Sequence, residues 1–317
     1  MFELLLLKKR TAGTTYTYTG PHYDIGPHYA LFAGGAGYPY GLKSSQKYYF
    51  DAGNVVNATS LITERYGHAA TSSATDAYFH SGGNASVVLN TSEKYSYSEN
   101  TVTQAASLAV PRYYSAGVGN DNVGIIGGGE NSIIRYSSTE KYTYSNQSVS
   151  SGVSLSALRD MLTAVGNYNY GLFSLGNNPT LLVTSEKYHY FADTRTMGVS
   201  LSTVRSWAGG IGNNSFGLFV AGSQSAANGK ASVKNVEIYN YASNAVYAGN
   251  SVAVARCAHV TASTPTVGLI SLGSNGYVAI NTTEKCTFSS MTWTAGTTMS
   301  PSKEFLAGAS SLPSWTA

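Results

Sequence analysis

Arg65, Arg112, Arg159, Arg205, Arg256 and Lys303 recur along the chain, each four residues after an apolar one (Leu61, Leu108, Leu155, Leu201, Val252 and Met299). Six cations set out at one spacing could form a ring that attracts an anionic ligand, such as an acidic sugar. The chain also supplies an acid for nearly every cation, at Glu93, Glu140, Glu186, Glu237 and Glu284, with Gln46 in the first copy. Buried cations need partners, so pairing inside or between repeats is the competing reading of the same residues.

The other side chains capable of chemistry are fewer. Tyr38 and Tyr40 flank Pro39, and Trp207 reads as an aromatic without an aromatic counterpart in the other repeats. Exposed Tyr and Trp stack on sugar rings or anchor protein partners, or else they pack on adjacent loops. His68 and His259 share one slot, three after the cation, which Ser115, Leu162, Ala208 and Leu306 fill elsewhere. A slot that accepts Leu is a packing position, not a metal ligand. His22 and His28 with Asp24 form no closed ligand set, so no metal and no cofactor are expected. The two cysteines, Cys257 and Cys286, make neither a disulfide framework nor a zinc site. Asp and Glu total 16, and five of the Glu belong to the repeat, which leaves little for a catalytic cluster.

What positions these residues is a repeat. Its centre is Glu-Lys-Tyr-x-Tyr, seen in 93–97, 140–144 and 186–190, with variants at 46–50, 237–241 and 284–288. The second residue falls at 47, 94, 141, 187, 238 and 285, spacings of 47, 47, 46, 51 and 47. A strand ending in small residues precedes each copy, as in Tyr29-Ala30-Leu31-Phe32-Ala33-Gly34-Gly35. A run rich in Ala, Gly, Ser and Thr follows each cation. Each period therefore holds four strand-like segments, the content of one propeller blade.

At this point the sequence resembles the kelch family. Gly34-Gly35, Gly82-Gly83 and Gly127-Gly128 match its diglycine, Tyr48, Tyr95, Tyr142, Tyr188 and Tyr239 its tyrosine, and Trp293 its outer-strand tryptophan, which the other blades lack. The resemblance covers about residues 28–311 and implies an all-β, six-bladed kelch-type β-propeller. The Glu-Lys-Tyr-x-Tyr variety, filled with Ser, Thr and Asn, is similar to kelch-like proteins of bacteriophages and other large viruses. The first Gly-ended strand lacks a cation-led partner before it, and the last cation-led strand, from Lys303, lacks a Gly-ended strand after it. Joining the two closes the ring with the C-terminal strand and removes two open edges. The cations then fall near one mouth of the channel, and the variable loops after the Gly-ended strands open on the same face.

Residues 1–27 do not follow the period and are expected to form an N-terminal arm, with 28–317 as the propeller. Phe2, Leu4, Leu5, Leu6 and Leu7 would either pack on the propeller or dock the chain to a neighbouring subunit. That apolar run is too short for a signal peptide, and its charges follow it instead of preceding it. No stretch has the length of a transmembrane helix, and a net charge of +3 demands neither nucleic acid nor an anionic membrane. Only 11% of the residues are charged, and the polar positions are Ser, Thr and Asn. The expectation is a non-enzymatic virion structural protein: a tail fibre, spike or capsid-surface component. It would be made in the host cytoplasm, assemble with other virion subunits as a homo-oligomer, and bind host-surface glycans with avidity from many copies. A kelch-fold sugar-modifying enzyme and a protein-binding adaptor are the alternatives.

Overall fold

The computed structural model describes residues 28–37, 40–225 and 231–310, Tyr40 through its backbone alone. The described residues form strands and no helix, arranged as six four-stranded antiparallel sheets and one short two-stranded ribbon. Blade I takes its inner strand from the far end of the chain: Ala307–Ser310 pairs with Tyr29–Ala33, which pairs with Ser45–Tyr49, then Val55–Ala58. In blades II to VI the four strands are consecutive. From inner to outer, blade II runs Ala69–Ser72, Asp76–His80, Ser92–Ser96 and Thr101–Ala105. The inner strands of blades III to VI are Ala116–Gly119, Thr163–Gly166, Gly209–Gly212 and Val260–Ser263. Each inner strand touches those of its two neighbouring blades, and Ala307–Ser310 lies between blades VI and II, so the ring is complete. The expected closure by the last strand is thus what the chain does.

The small residues of the inner strands are there because these strands nearly touch. A Cβ added to Gly117 would lie 2.4 Å from the Ala70 carbonyl oxygen of blade II, and one on Gly308 would lie 2.3 Å from that of Thr261. The channel they enclose has a cavity of about 160 Å³, lined by the six inner strands.

The second strand of every blade is buried from end to end or nearly so, sandwiched between adjacent blades, and it is mostly apolar without alternation, with Asp76 and His80 at the ends of the blade II strand and Ser174 and Ser271 closing those of blades IV and VI. The third strand carries Glu-Lys-Tyr-x, with Glu and Tyr on one face and Lys on the other. The motif lysines reach the next blade: Lys141 donates to the Tyr190 carbonyl (3.1 Å), Lys285 donates to that of Phe50 (3.2 Å), and Lys187 lies 5.6 Å from the Tyr239 ring centre.

The motif tyrosines have a second task. After the third strand the chain turns through one residue of positive φ: Gly53, Asn100, Gln147, Asp193, Asn244 and Met291. The Tyr95, Tyr188 and Tyr239 hydroxyls donate to the side chains of Asn100, Asp193 and Asn244, and Tyr142 donates to Gln147 at 3.4 Å. Where the tyrosine becomes Cys286, the turn residue becomes Met291, so both polar partners are lost together. Cys286 is fully buried, and burial pushes its thiol up to about 12, so it behaves as a small core residue.

Strand direction gives the ring two distinct faces. One carries the loops between second and third strands and the segments leading from an outer strand into the next inner strand. The opposite face carries the remaining hairpins. His28 precedes the second strand of blade I and Ser310 ends its inner strand, and both lie on that opposite face.

Candidate functional site: the collar face

Each lead-in segment carries the repeated cation. The five arginines are fully buried. The Arg65 guanidinium donates to Glu93 (2.7 Å), to the Ser81 and Thr91 carbonyls (2.7 and 3.0 Å) and to the Thr91 hydroxyl (3.3 Å). The same set recurs as Arg112 to Glu140 (2.9 Å), Arg159 to Glu186 (2.8 Å), Arg205 to Glu237 (2.6 Å) and Arg256 to Glu284 (3.0 Å). Burial draws the guanidinium pKa values down while each glutamate draws its partner's back up. Each glutamate also accepts backbone N–H bonds from the segment, as Glu93 does from Ile62 and Thr63 (2.6 and 3.0 Å). The arginine backbone meanwhile binds the preceding blade: Gly82 N–H donates to the Arg112 carbonyl and Gly129 N–H to that of Arg159, both at 2.8 Å. These residues weld one blade to the next. As a ring of charge open to an anionic ligand, Arg65, Arg112, Arg159, Arg205 and Arg256 are corrected here: every one is inside the protein with its donors directed inward.

The sixth position differs. Lys303 has no carboxylate; its ammonium reaches the Ser44 hydroxyl (2.7 Å) and carbonyl (3.4 Å). Gln46 replaces the glutamate and donates to the Ser300 carbonyl (2.7 Å). Pro301 stands where Thr63 offers an N–H to Glu93, so a carboxylate there would lack one of its donors. Lys303 is 1% exposed and burial lowers its pKa to about 8.

Two residues past each cation the chain turns through positive φ in all six segments: Gly67, Tyr114, Met161, Trp207, Ala258 and Phe305, at 51–59°. Five of the six are not glycine, so the turn carries about 1–2 kcal/mol of strain per residue. What the strain accompanies is a closed circle of backbone hydrogen bonds. Gly67 N–H donates to the Phe305 carbonyl, Tyr114 to Gly67, Met161 to Tyr114, Trp207 to Met161, Ala258 to Trp207 and Phe305 to Ala258, at 2.6–3.1 Å. This circle is a collar at one mouth of the channel. A cavity of about 100 Å³ lies at it, lined by the collar residues and by His68, Ser115, Leu162, Ala208, His259 and Leu306. His68 and His259 are buried in that packing slot, as the Leu alternatives foretold. Desolvation lowers the His259 pKa to about 3, so its imidazole is neutral.

Trp207 therefore has aromatic counterparts, Tyr114 and Phe305, and its reading as unmatched is corrected. The rings form a chain of contacts: Trp207–Phe305 at 5.8 Å between centres, Tyr114–Phe305 at 5.4 Å, Tyr113–Tyr114 at 4.6 Å and Tyr66–Tyr113 at 6.3 Å. A Cβ on Gly67 would come within 2.8 Å of the Tyr114 ring, which leans into the space that glycine leaves.

The diglycine match needs a shift of register. The structurally equivalent pairs are Gly34-Gly35, Ser81-Gly82, Gly128-Gly129, Leu175-Gly176, Ala221-Gly222 and Leu272-Gly273, not Gly82-Gly83 or Gly127-Gly128. The first member has φ of 54–69°, which Ser, Leu and Ala adopt; the second has φ of 88–102° and is glycine in every blade. A Cβ on Gly176 would lie 2.5 Å from the Asp160 carbonyl oxygen.

Beyond the pairs, the loops bear several of the most exposed apolar side chains of the described surface, with Phe191 (64%) on the opposite face another. Asn84, Asn131 and Asn275 each accept two backbone N–H bonds through the side-chain oxygen, and these turns present Val87, Ile133, Ile134, Tyr277 and Val278. Ile133 is 87% exposed and Tyr277 73%, the highest values among the described large apolar side chains. Between blades III and IV, Arg135 Nε lies 3.0 Å from Asp160 Oδ1, and the Asn177 amide sets its oxygen 3.0 Å from Arg135. Glu130 adjoins them, and burial and the neighbouring Asp160 raise its pKa. Neither Glu130 nor Asp160 stands out in the sequence, because each occupies its slot in one blade alone.

Of the other expected site residues, Tyr38 and the arm residues Phe2, Leu4, Leu5, Leu6 and Leu7 lie outside the described residues. Tyr40 sits in the short strand Tyr40–Gly41, paired with Ala36–Gly37 in the blade I loop of this face. Among the described residues, no group of three or more His, Cys, Asp or Glu is placed to hold a metal.

No family model matches the chain. No curated protein matches it either. Among solved structures 449 chains match, so the architecture is widespread and says little of function. One of them is the structure of YjhT, with a TM-score of 0.67 and 12% identity, covering 86% of this chain and 98% of that one. At that identity the likeness shows the fold alone: a six-bladed β-propeller.

Proposed function

We propose that this propeller is the non-enzymatic binding head of a virion surface assembly, as tail fibre, spike or capsid-surface component, and that it meets host-surface glycans with its collar face. The polarity of the ring carries the reading. The aromatic collar, the variable loops and most of the exposed apolar tips share one face, while the described residues begin at His28 and end at Ser310 on the other. A head tethered from behind leaves its contact face free. The viral-type repeat motivates the setting, and many weak contacts from many copies would supply the avidity.

Light scattering on the full chain and on a version lacking residues 1–27, followed by a glycan array on both, tests this. An assembling full chain, a monomeric truncated one and one shared glycan profile are expected. Two monomers that bind no glycan would contradict it. The Glu130–Asp160–Arg135 group favours a second reading, a sugar-modifying enzyme of the kelch fold, which catalytic turnover of a bound glycan would establish.

A further inference from the structure

We propose that the sector of the collar face around Tyr66, Tyr113, Tyr114 and Phe305, with the Glu130–Asp160–Arg135 group beside it, is a subsite for an uncharged sugar ring that discriminates against acidic sugars. The inference rests on the binding-head reading and names the ligand chemistry of that face.

Three observations converge on it. First, the four rings are linked by one edge-to-face and three tilted contacts at 4.6–6.4 Å, Tyr114 and Phe305 line the collar cavity, and all four are partly exposed. Aromatic faces held in this way suit the apolar C–H face of a pyranose, with little ordering left to do on binding. Second, the polar groups are joined to the rings by the backbone. Tyr113 and Glu130 exchange both backbone hydrogen bonds (2.9 and 3.0 Å), and the Tyr113 hydroxyl is 3.0 Å from that of Ser132. Half-buried carboxylate and hydroxyl groups beside a ring platform accept hydrogen bonds from sugar hydroxyls.

Third, the charge excludes acids. The five repeat arginines, which would have drawn an anionic sugar, are buried with their glutamates. Arg135 is held by Asp160 and Asn177. The partly exposed charges of these segments are then Glu130 and Glu304 against Arg135, which the buried Asp160 offsets, with Glu304 bridged to Ala36 beside Phe305 and the nearby Lys303 buried against Ser44. A sugar carboxylate would meet like charge there, whereas a neutral hexose would not.

The test is a glycan array of galactose-, glucose- and mannose-terminated oligosaccharides with their sialylated and uronate-bearing counterparts. It is probed with the wild-type chain and with Tyr113→Ala, Glu130→Gln and Glu130→Lys, each checked for native aromatic circular dichroism. The wild type is expected to bind neutral glycans in preference to acidic ones. Tyr113→Ala and Glu130→Gln should each weaken that binding about tenfold or more, as truncation of a central contact does. Glu130→Lys should gain acidic glycans. Equal binding of acidic and neutral glycans by the wild type overturns the inference. So does neutral-glycan binding that folded Tyr113→Ala and Glu130→Gln leave unchanged, while the binding-head reading survives. If the wild type binds no glycan at all, the binding-head reading fails and the subsite with it.

Discussion

The Arg–Glu pair is where a single side chain does most for this ring. Arg112 joins the Gly128 and Ser138 carbonyls, the Ser138 hydroxyl and Glu140, while its own carbonyl takes the Gly82 N–H of the blade before. Replacing it by alanine leaves Glu140 buried without its cation. Arg112→Ala is expected to lose about 3–5 kcal/mol of stability in a denaturant titration, the cost of breaking a buried pair from one side. A loss below about 1 kcal/mol, the range of exposed pairs, would contradict the weld. The recurrence of one acid per cation makes the pair legible in the sequence. The amino acids alone did not decide between pairing and a ligand ring, because burial depends on where the segment crosses the blades.

At the scale of the element, periodicity located every blade but hid what the turns require. The second residue of each positive-φ pair is the one that must be glycine, and the first tolerates Leu175 and Leu272. Reading Gly82-Gly83 and Gly127-Gly128 as the pair moved the register by one, since neighbouring glycines look alike in a sequence. Gly176→Ala is expected to destabilise by about 1–3 kcal/mol, the range for a strained backbone residue, and its Cβ also meets the Asp160 carbonyl. Leu175→Gly tests the contrast: it relieves strain at φ 63° but removes a fully buried side chain, so a large-to-small core loss is expected instead. Both are measured by thermal unfolding, and a neutral Gly176→Ala would contradict the turn geometry. The collar was missed for another reason. Gly67, Tyr114, Met161, Trp207, Ala258 and Phe305 share no chemistry, only a backbone conformation and a place in the hydrogen-bonded circle. Aligning the chain on the cations would have found Tyr114 and Phe305 opposite Trp207.

For the whole molecule, closure was legible because strands left over at the two ends complement each other, and the structure pairs them. The closing position is also the one whose charge is least supported. Lys303 has its pKa lowered by burial from 10.5 to about 8. Between those values the unfolded chain holds a proton that the folded chain has released, so this group makes stability rise with pH across that window. Above pH 10 the buried Tyr97, Tyr190 and Tyr241, whose pKa values are pushed well up, act in the opposite sense. Within the window the buried thiols Cys257 and Cys286, whose pKa values burial raises, also oppose it, so the comparison of variants isolates the ammonium: between pH 7.5 and 10 the wild type is expected to gain more, or lose less, thermal stability than Lys303→Met. An identical pH profile for the variant would contradict the role of this ammonium.

The central claim, that the ring binds with its collar face and is held from the opposite one, is tested most directly by the orientation of immobilised protein. Cys257 and Cys286 are buried, so an introduced surface thiol can be labelled selectively. One sample is biotinylated at the amino terminus, and another at Ser86→Cys, exposed in a blade II loop of the collar face outside the proposed subsite. Both are captured on streptavidin and probed with the neutral glycans. The account predicts binding by the sample tethered at its amino terminus and loss of binding when the rim is tethered. Binding retained by the rim-tethered sample and lost by the other would place the site on the wrong face and contradict it.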